Sequence, residues 1–144
     1  ALLHDYGKAK IPAAILENKG NAVYSQAIQD HPNRGLKMIK KMKNIPEEVQ
    51  MIVSQHHEQF NGNGYPKGLK GESIYKFATV VSIANIFNNS IEDELKKRGI
   101  KKPNVEIYRK AIKVLEYDKG KQFNLEYMER VLDGLKLSFG NYQK

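Results

Sequence analysis

The chain has 144 residues, 40% hydrophobic and 28% charged, which is enough for one domain with a modest core. Cysteine is absent, which excludes disulfides, thiolate zinc sites and cysteine nucleophiles. No run approaches the roughly 18 apolar residues of a spanning helix, and no secretory leader is recognisable. We therefore expect no direct membrane insertion and a cytoplasmic location. A preceding domain could still carry a membrane anchor.

The 24 basic and 16 acidic side chains give a net charge of +8. This excess is typical of a lysine-rich surface that favours solubility. The sharper interpretation is a field that attracts an anionic ligand such as a nucleotide. No basic helix or zinc-finger spacing is present, so duplex nucleic acid is not an expected partner.

Apolar residues recur at helical spacing along the whole chain, and no strand-like alternation of useful length occurs. We therefore predict an all-α fold, with Asn124 as the N-cap of the last helix. The predicted helices are 31–43, 46–57, 76–91, 105–117 and 125–137. The core-facing residues predicted for the third of them are Phe77, Val80, Val81, Ala84 and Phe87. Irregular segments are expected at 18–24, 58–73 and 93–104.

Residues that could form a site occur at the very start of the chain, where His4 and Asp5 have no preceding helix to pack against. We therefore expect residues 1–144 to be a single domain that lacks its first helices and belongs to a longer protein.

Four histidines and one neighbouring carboxylate are the strongest candidates for metal ligands. Neutral imidazole is a common ligand of iron, manganese and zinc, and the two oxygens of a carboxylate can bind different ions. Two adjacent metals suit phosphoester cleavage, because they activate water and stabilise the developing charge. The candidates are His4, Asp5, His31, His56 and His57.

The order of the motifs around these residues is specific. They are His4-Asp5-x-Gly7-Lys8, His31-Pro32-x-x-Gly35, His56-His57-Glu58 and Asn61-Gly62-Asn63-Gly64-Tyr65-Pro66-x-Gly68-Leu69. In this order they resemble the HD-GYP family, a branch of the HD phosphohydrolases, over about residues 2–90. Gly120 to Asn124 resembles a later signature of that family.

The resemblance implies an HD-superfamily helical bundle around two or three divalent metals, usually iron or manganese. It implies hydrolysis of cyclic di-GMP to pGpG and on to GMP in bacterial signalling. Asp5 would bridge the metals and act with Lys8 in catalysis, Lys8 also contacting the scissile phosphate. The remaining implied metal ligands are His4, His31, His56, His57 and a residue at position 85. The substrate loop would be Gly64, Tyr65 and Pro66.

The residues of this loop agree with such a role, since Gly62 and Gly64 permit tight turns near a ligand and Tyr65 offers an aromatic face and a hydroxyl. The loop could instead simply close a turn at a helix end. Glu58 could orient a histidine or be an ordinary exposed acid.

The sequence departs from the family pattern after this loop. Asn85 stands where a metal-binding aspartate is expected, Asn88 replaces another acid, Thr79 stands where relatives often have arginine, and an arginine-rich run is missing. An amide oxygen can coordinate a hard cation but adds no negative charge. The alternative is therefore a degenerate module that binds a cyclic dinucleotide or a signalling protein with little or no cleavage. An HD phosphohydrolase acting on another nucleotide, including a different cyclic dinucleotide, is a further alternative.

Overall fold

The computed structural model describes residues 2–140, and every regular element within them is helical. The α-helices are α1 (Ala13–Glu17), α2 (Ala22–Ile39), α3 (Glu47–Gln55), α4 (Lys76–Arg98), α5 (Val105–Asp118) and α6 (Leu125–Leu135). Short 3₁₀ helices lie at Tyr6–Lys10 and Gly71–Ser73, and a π-helical turn at Lys136–Gly140. The all-α prediction is confirmed.

The backbone forms two compact units, one ending at Val81 and the other beginning at Ser82. The expectation that the chain is one domain stays a prediction. None of the described helices combines the length and the apolarity that crossing a bilayer requires.

In the first unit, α2 packs against the 3₁₀ helix Tyr6–Lys10 and against α3. Two glycines make the first of these contacts possible. A Cβ atom on Gly7 would overlap the carbonyl oxygen of His31 and would lie 2.6 Å from the backbone nitrogen of Gly35. A Cβ on Gly35 would lie 2.9 Å from Cγ1 of Val53 and 3.3 Å from the nitrogen of Gly7. Without side chains at these positions, the backbone of this 3₁₀ helix can lie directly against α2.

The start predicted for α2 was wrong by nine residues, because the helix begins at Ala22 and ends at Ile39. Asn21 caps it, its side chain accepting a hydrogen bond of 2.7 Å from the backbone of Tyr24. Pro32 lies inside the helix, where proline normally indicates an end. The segment expected to be irregular at 18–24 is therefore already helical in its last part.

In the second unit, α5 and α6 contact each other. The buried cluster consists of Ile83, Ile112, Leu115, Phe123, Met128 and Leu132. Asn124 caps α6 as predicted, its side chain accepting hydrogen bonds from the backbone of Glu126 and Tyr127. Val114 on α5 and Leu125 on α6 are 43% and 52% exposed.

The face predicted for α4 was wrong in part, although Val81 and Phe87 are half-buried and Phe87 packs against the buried cluster. Phe77 and Val80 are each 50% exposed and Ala84 is exposed, whereas Ala78 and Ile83 are buried. Apolar residues occur on more than one face of this helix, so periodicity alone did not identify the buried one.

The helix α4 extends through the first half of the segment predicted to be irregular at 93–104. Glu94 accepts a hydrogen bond of 3.2 Å from Arg98 one turn later, a spacing that supports an exposed helical turn. Gly99 follows with a φ of +64°, which ends the helix as C-terminal glycines commonly do.

Candidate metal centre

Four of the predicted ligands come together in the first unit: Asp5, His31, His56 and His57. One ligand atom from each lies within 4.8 Å of the corresponding atoms of the others. His31 and His56 are fully buried, whereas Asp5 and His57 are partly exposed. The cluster draws on the turn before Tyr6, the middle of α2 and the end of α3, so it exists only in the folded chain.

The sequence pair His31-Pro32 explains how the first imidazole is oriented. In an α-helix the N–H of Pro32 would bind the carbonyl of Ile28, but proline has no N–H to donate. Nδ1 of His31 lies 2.5 Å from that carbonyl oxygen. With the proton on Nδ1, the other ring nitrogen, Nε2, presents a lone pair towards Asp5.

The end of α3 orients the second imidazole in the same way. The last carbonyls of a helix have no partner within the helix, and Nδ1 of His56 lies 3.0 Å from the carbonyl oxygen of Val53. His57 follows directly, and its backbone carbonyl accepts a hydrogen bond of 3.1 Å from the backbone N–H of Tyr65. The ring of His56 is therefore oriented by a backbone carbonyl that leaves its Nε2 facing the cluster, and the backbone of His57 is tied to the loop that follows.

The atoms that face one another fit a cation. Nε2 of His31 lies 3.1 Å from Nε2 of His56 and 3.1 Å from Oδ1 of Asp5. With both Nδ1 protons donated to carbonyls, these three atoms present lone pairs to each other, which a positive ion would stabilise. Oδ1 of Asp5 and Nε2 of His57 are buried without a hydrogen-bond partner, which is costly unless a ligand completes them. This nitrogen- and oxygen-rich donor set suits divalent iron, manganese or zinc.

The ionisation of the cluster also favours metal binding. Burial lowers the pKa of His57 to about 2, with further lowering from neighbouring positive charge, and burial likewise lowers the pKa of His56. Burial alone would raise the pKa of Asp5, but its contacts, among them the hydrogen bond and the positive charge of Lys8, hold that pKa well below its usual range. These shifts of pKa favour neutral imidazoles at His56 and His57 and an ionised carboxylate at Asp5, which are the forms that bind metals.

His4 and Lys8 lie on the other oxygen of the Asp5 carboxylate. Nζ of Lys8 donates a hydrogen bond of 2.8 Å to Oδ2, and Nε2 of His4 lies 3.4 Å from the same atom. The ring of His4 also lies edge-on to the ring of His56, with centroids 5.1 Å apart. His4 is thus next to the four-residue cluster but not within it, and its role as a ligand stays a prediction.

Glu58 is not the exposed acid that was one of its two predicted roles, and within residues 2–140 its carboxylate binds the backbone of a loop rather than a histidine. It is only 3% exposed, and its two carboxylate oxygens accept hydrogen bonds of 2.8 Å from the backbone N–H groups of Lys67 and Leu69. This carboxylate holds the glycine-rich loop. The signal for this role in the sequence was an acid directly before a glycine-rich segment, because such a segment has many backbone N–H groups that a carboxylate can accept from.

The loop held by Glu58 places Tyr65 against the metal centre. A Cβ on Gly64 would overlap the backbone nitrogen of Gln59, so the loop packs tightly against the backbone of Glu58 and Gln59, just after α3. The ring of Tyr65 stacks on that of His57, with centroids 4.6 Å apart and an angle of 19°. Burial, and then the negative charge of Asp5, raise the pKa of the Tyr65 hydroxyl to about 12. Pro66 follows through a cis peptide bond.

Asn85 lies half-buried on α4, in the second compact unit, and its role as a ligand stays a prediction. Asn88 is exposed and donates a hydrogen bond of 2.8 Å to Glu92 on the same helix. Its amide therefore has a local role on the helix surface.

A family model described as an HD domain matches residues 1–124. The cyclic di-GMP phosphodiesterase response regulator RpfG of Xanthomonas campestris is 34% identical over 91 residues, which are 61% of this chain and 24% of that protein. The 3'3'-cGAMP-specific phosphodiesterase 2 of Vibrio cholerae is 33% identical over 89 residues, 60% of this chain and 17% of that protein. The chain thus spans a quarter or less of the length of these relatives.

A solved structure shares this arrangement of helices. Bd1817, described as an HDG"Y"P protein from Bdellovibrio bacteriovorus, superposes with a TM-score of 0.64 at 29% identity, covering 94% of this chain and 41% of that one.

Proposed function

Because the chain belongs to the HD domain family, we propose that it is a metal-dependent phosphodiesterase that hydrolyses cyclic di-GMP, or a related cyclic dinucleotide, to pGpG and on to GMP. The observation that carries this proposal is the cluster of Asp5, His31, His56 and His57, with two buried ligand atoms that have no hydrogen bond. Relatives named for cyclic di-GMP and for 3'3'-cGAMP support the substrate class.

The proposed cofactors are two or three divalent ions, iron or manganese, with the four clustered residues and His4 as their proposed ligands. Such ions lower the pKa of bound water and stabilise charge on a phosphoryl group. The protein contributes the orientation of the imidazoles, which the carbonyls of Ile28 and Val53 determine.

Lys8 and Tyr65 are the proposed groups that contact substrate. The ammonium of Lys8 is one-third exposed and lies beside the carboxylate of Asp5. It is therefore placed to approach a phosphoryl oxygen and offset its charge in the transition state. The loop of Gly64, Tyr65 and Pro66 would form a wall of the substrate site, with the Tyr65 hydroxyl remaining protonated at neutral pH.

The test is hydrolysis of cyclic di-GMP by the purified protein loaded anaerobically with Fe(II) or Mn(II), with metal counted in the same sample. We expect metal-dependent formation of pGpG or GMP. His56→Ala and Asp5→Asn should lose metal and turnover together, by at least about 100-fold in turnover. Asp133→Asn, which changes an exposed acid on α6, is the matched control. Full turnover in folded, metal-checked His56→Ala protein would contradict the proposed site.

A degenerate binding module is the second candidate, and the amides at positions 85 and 88 favour it. If the missing aspartate is what disables the centre, Asn85→Asp should raise both the bound metal and the turnover. Asn88→Asp, at an exposed position with a local hydrogen bond, is the control. No gain from Asn85→Asp would remove this explanation.

A further inference from the structure

A cleft of about 190 Å³ lies beside the metal centre, wholly within the first unit. One wall is the Tyr65-Pro66 segment, and the other is a face of α2. Its lining residues are Gln26, Gln29, Asp30, Asn33, Tyr65 and Pro66. The four residues from α2 follow helical spacing and are all polar, although most helix faces that meet another segment are apolar.

The side chains of this face offer a specific set of hydrogen bonds. Nε of Arg34 donates a 2.8 Å hydrogen bond to Oδ2 of Asp30, which orients the carboxylate. The other oxygen, Oδ1, has only a 3.5 Å contact from the Asn33 amide. An ionised carboxylate only accepts hydrogen bonds, whereas an Asn or Gln amide both donates and accepts.

This set matches one edge of guanine. The N1–H and N2–H groups of guanine are donors for a carboxylate, and the neighbouring O6 is an acceptor for an amide N–H. Adenine presents an acceptor at N1, which a carboxylate would repel. The cleft is smaller than the roughly 300–1,000 Å³ of pockets for drug-sized ligands, a size suited to one base rather than a whole dinucleotide.

Tyr65 connects the cleft to the metal centre. It lines the cleft and its ring also stacks on His57, which belongs to the ligand cluster. Asp30 and His31 are consecutive on α2. A nucleotide whose phosphate lies at the centre would therefore have its base within reach of this face.

We propose that this cleft binds one guanine base of the cyclic dinucleotide, with Asp30 and Asn33 selecting guanine over adenine. This inference rests on the proposed function. It adds two specificity-determining residues that the sequence motifs do not include.

The test is equilibrium binding of GMP, IMP and AMP in the presence of Mn²⁺, since none of the three contains a phosphodiester to cleave. All three carry the same phosphate, so differences in affinity report the base alone. Wild-type protein should bind GMP at least about fivefold more tightly than AMP. Asp30→Asn should remove this preference and also the preference for GMP over IMP, which lacks the N2 amine.

Asn33→Ala should weaken GMP binding by a similar factor. Ser25→Ala, exposed on the same helix outside the cleft, is the control. Circular dichroism and the bound Mn²⁺, measured on every variant, show that the variants are folded and hold metal without relying on hydrolysis.

The outcomes separate this inference from the proposed function. If wild type binds GMP and AMP equally, or if the Asp30 and Asn33 variants bind like wild type, the guanine site is wrong, whatever the turnover. If wild type cleaves no phosphodiester but binds GMP more tightly than AMP, and Asp30→Asn does not show this preference, the guanine site stands and the proposed hydrolysis fails.

Discussion

Asp5 is the residue on which the contacts of the centre converge. Oδ1 lies 3.1 Å from His31, and Oδ2 accepts a hydrogen bond from Lys8. The two oxygens therefore face different groups. This is the arrangement expected if Asp5 binds metal through one oxygen and holds the proposed substrate-contacting lysine with the other. Lys8 sits at the boundary between the buried ligands and solvent.

Replacing Lys8 tests whether its charge acts on substrate. Lys8→Met keeps most of the side-chain length and removes the ammonium, so we expect kcat to fall by about 100-fold with bound metal unchanged. Lys10→Met, at an exposed position of the same 3₁₀ helix, should behave as wild type. Metal analysis and steady-state kinetics on the same samples check this. An unchanged kcat would show that Lys8 is a surface lysine, and loss of metal would show that it acts through Asp5.

At the scale of elements, the contact between Gly7 and Gly35 determines how closely the turn carrying Asp5 approaches α2. A side chain at Gly7 would meet the backbone of His31 and Gly35, which cannot move without displacing the helix. The glycines in the first two motifs are therefore explained by packing and require no direct contact with a ligand.

Gly7→Ala should lower the free energy of unfolding by about 1–3 kcal/mol through overpacking and should weaken Mn²⁺ binding. Gly134→Ala is the matched control, because it lies in α6 with no atom within 4 Å of the added Cβ. There the change should raise the free energy of unfolding by about 0.5–1 kcal/mol. Denaturant unfolding and metal titration check both. Equal effects of the two substitutions would contradict the packing argument.

The glycine-rich loop is a second element whose position depends on one buried side chain. Both oxygens of Glu58 bind backbone N–H groups of the loop, and the loop in turn places Tyr65 on His57. Order in this segment is thus linked to the position of His57, a proposed metal ligand.

Glu58→Gln should release one of the two loop contacts, because its NH₂ group would face a backbone N–H donor. An unmet buried donor costs about 1–3 kcal/mol, so we expect hydrogen exchange at the amides of Lys67 and Leu69 to accelerate markedly. Glu17→Gln, at an exposed position, should leave their exchange unchanged. Protection equal to wild type in Glu58→Gln would show that the loop is held by other contacts.

On the scale of the whole molecule, the net charge of +8 either attracts an anionic substrate or serves only solubility. Measurements of kinetics at different salt concentrations can separate the two. Exposed charges attract an anionic ligand over distances that salt screens, with a Debye length of about 10 Å at 0.1 M and about 3 Å at 1 M. A charge that serves only solubility would not affect substrate capture.

If the field attracts substrate, kcat/KM for cyclic di-GMP should fall several-fold as NaCl rises from about 0.05 to 0.5 M, with kcat nearly constant. Bis(p-nitrophenyl) phosphate carries one negative charge where cyclic di-GMP carries two, so its kcat/KM should depend less on salt. Identical salt dependence of the two substrates would assign the charge to solubility.

The sequence alone determined the helical class and named the four residues that come together in the cluster. Asp5, His31, His56 and His57 lie in motifs whose order is specific, and the HD-GYP resemblance that they carried is supported by the family match and by Bd1817. Local signals also succeeded where one side chain decides the outcome, as at the Asn124 cap. A helix cap and each single motif depend on residues close together in the chain, so one sequence can reveal them.

Only the tertiary structure decided which groups meet across the chain. It showed that Glu58 holds a loop and that Tyr65 stacks on His57. It also showed that α4 buries Ala78 rather than Phe77, and that α2 continues through Pro32. In each case several local arrangements have similar free energies, and the choice among them is made by packing and hydrogen bonding between segments that are distant in sequence.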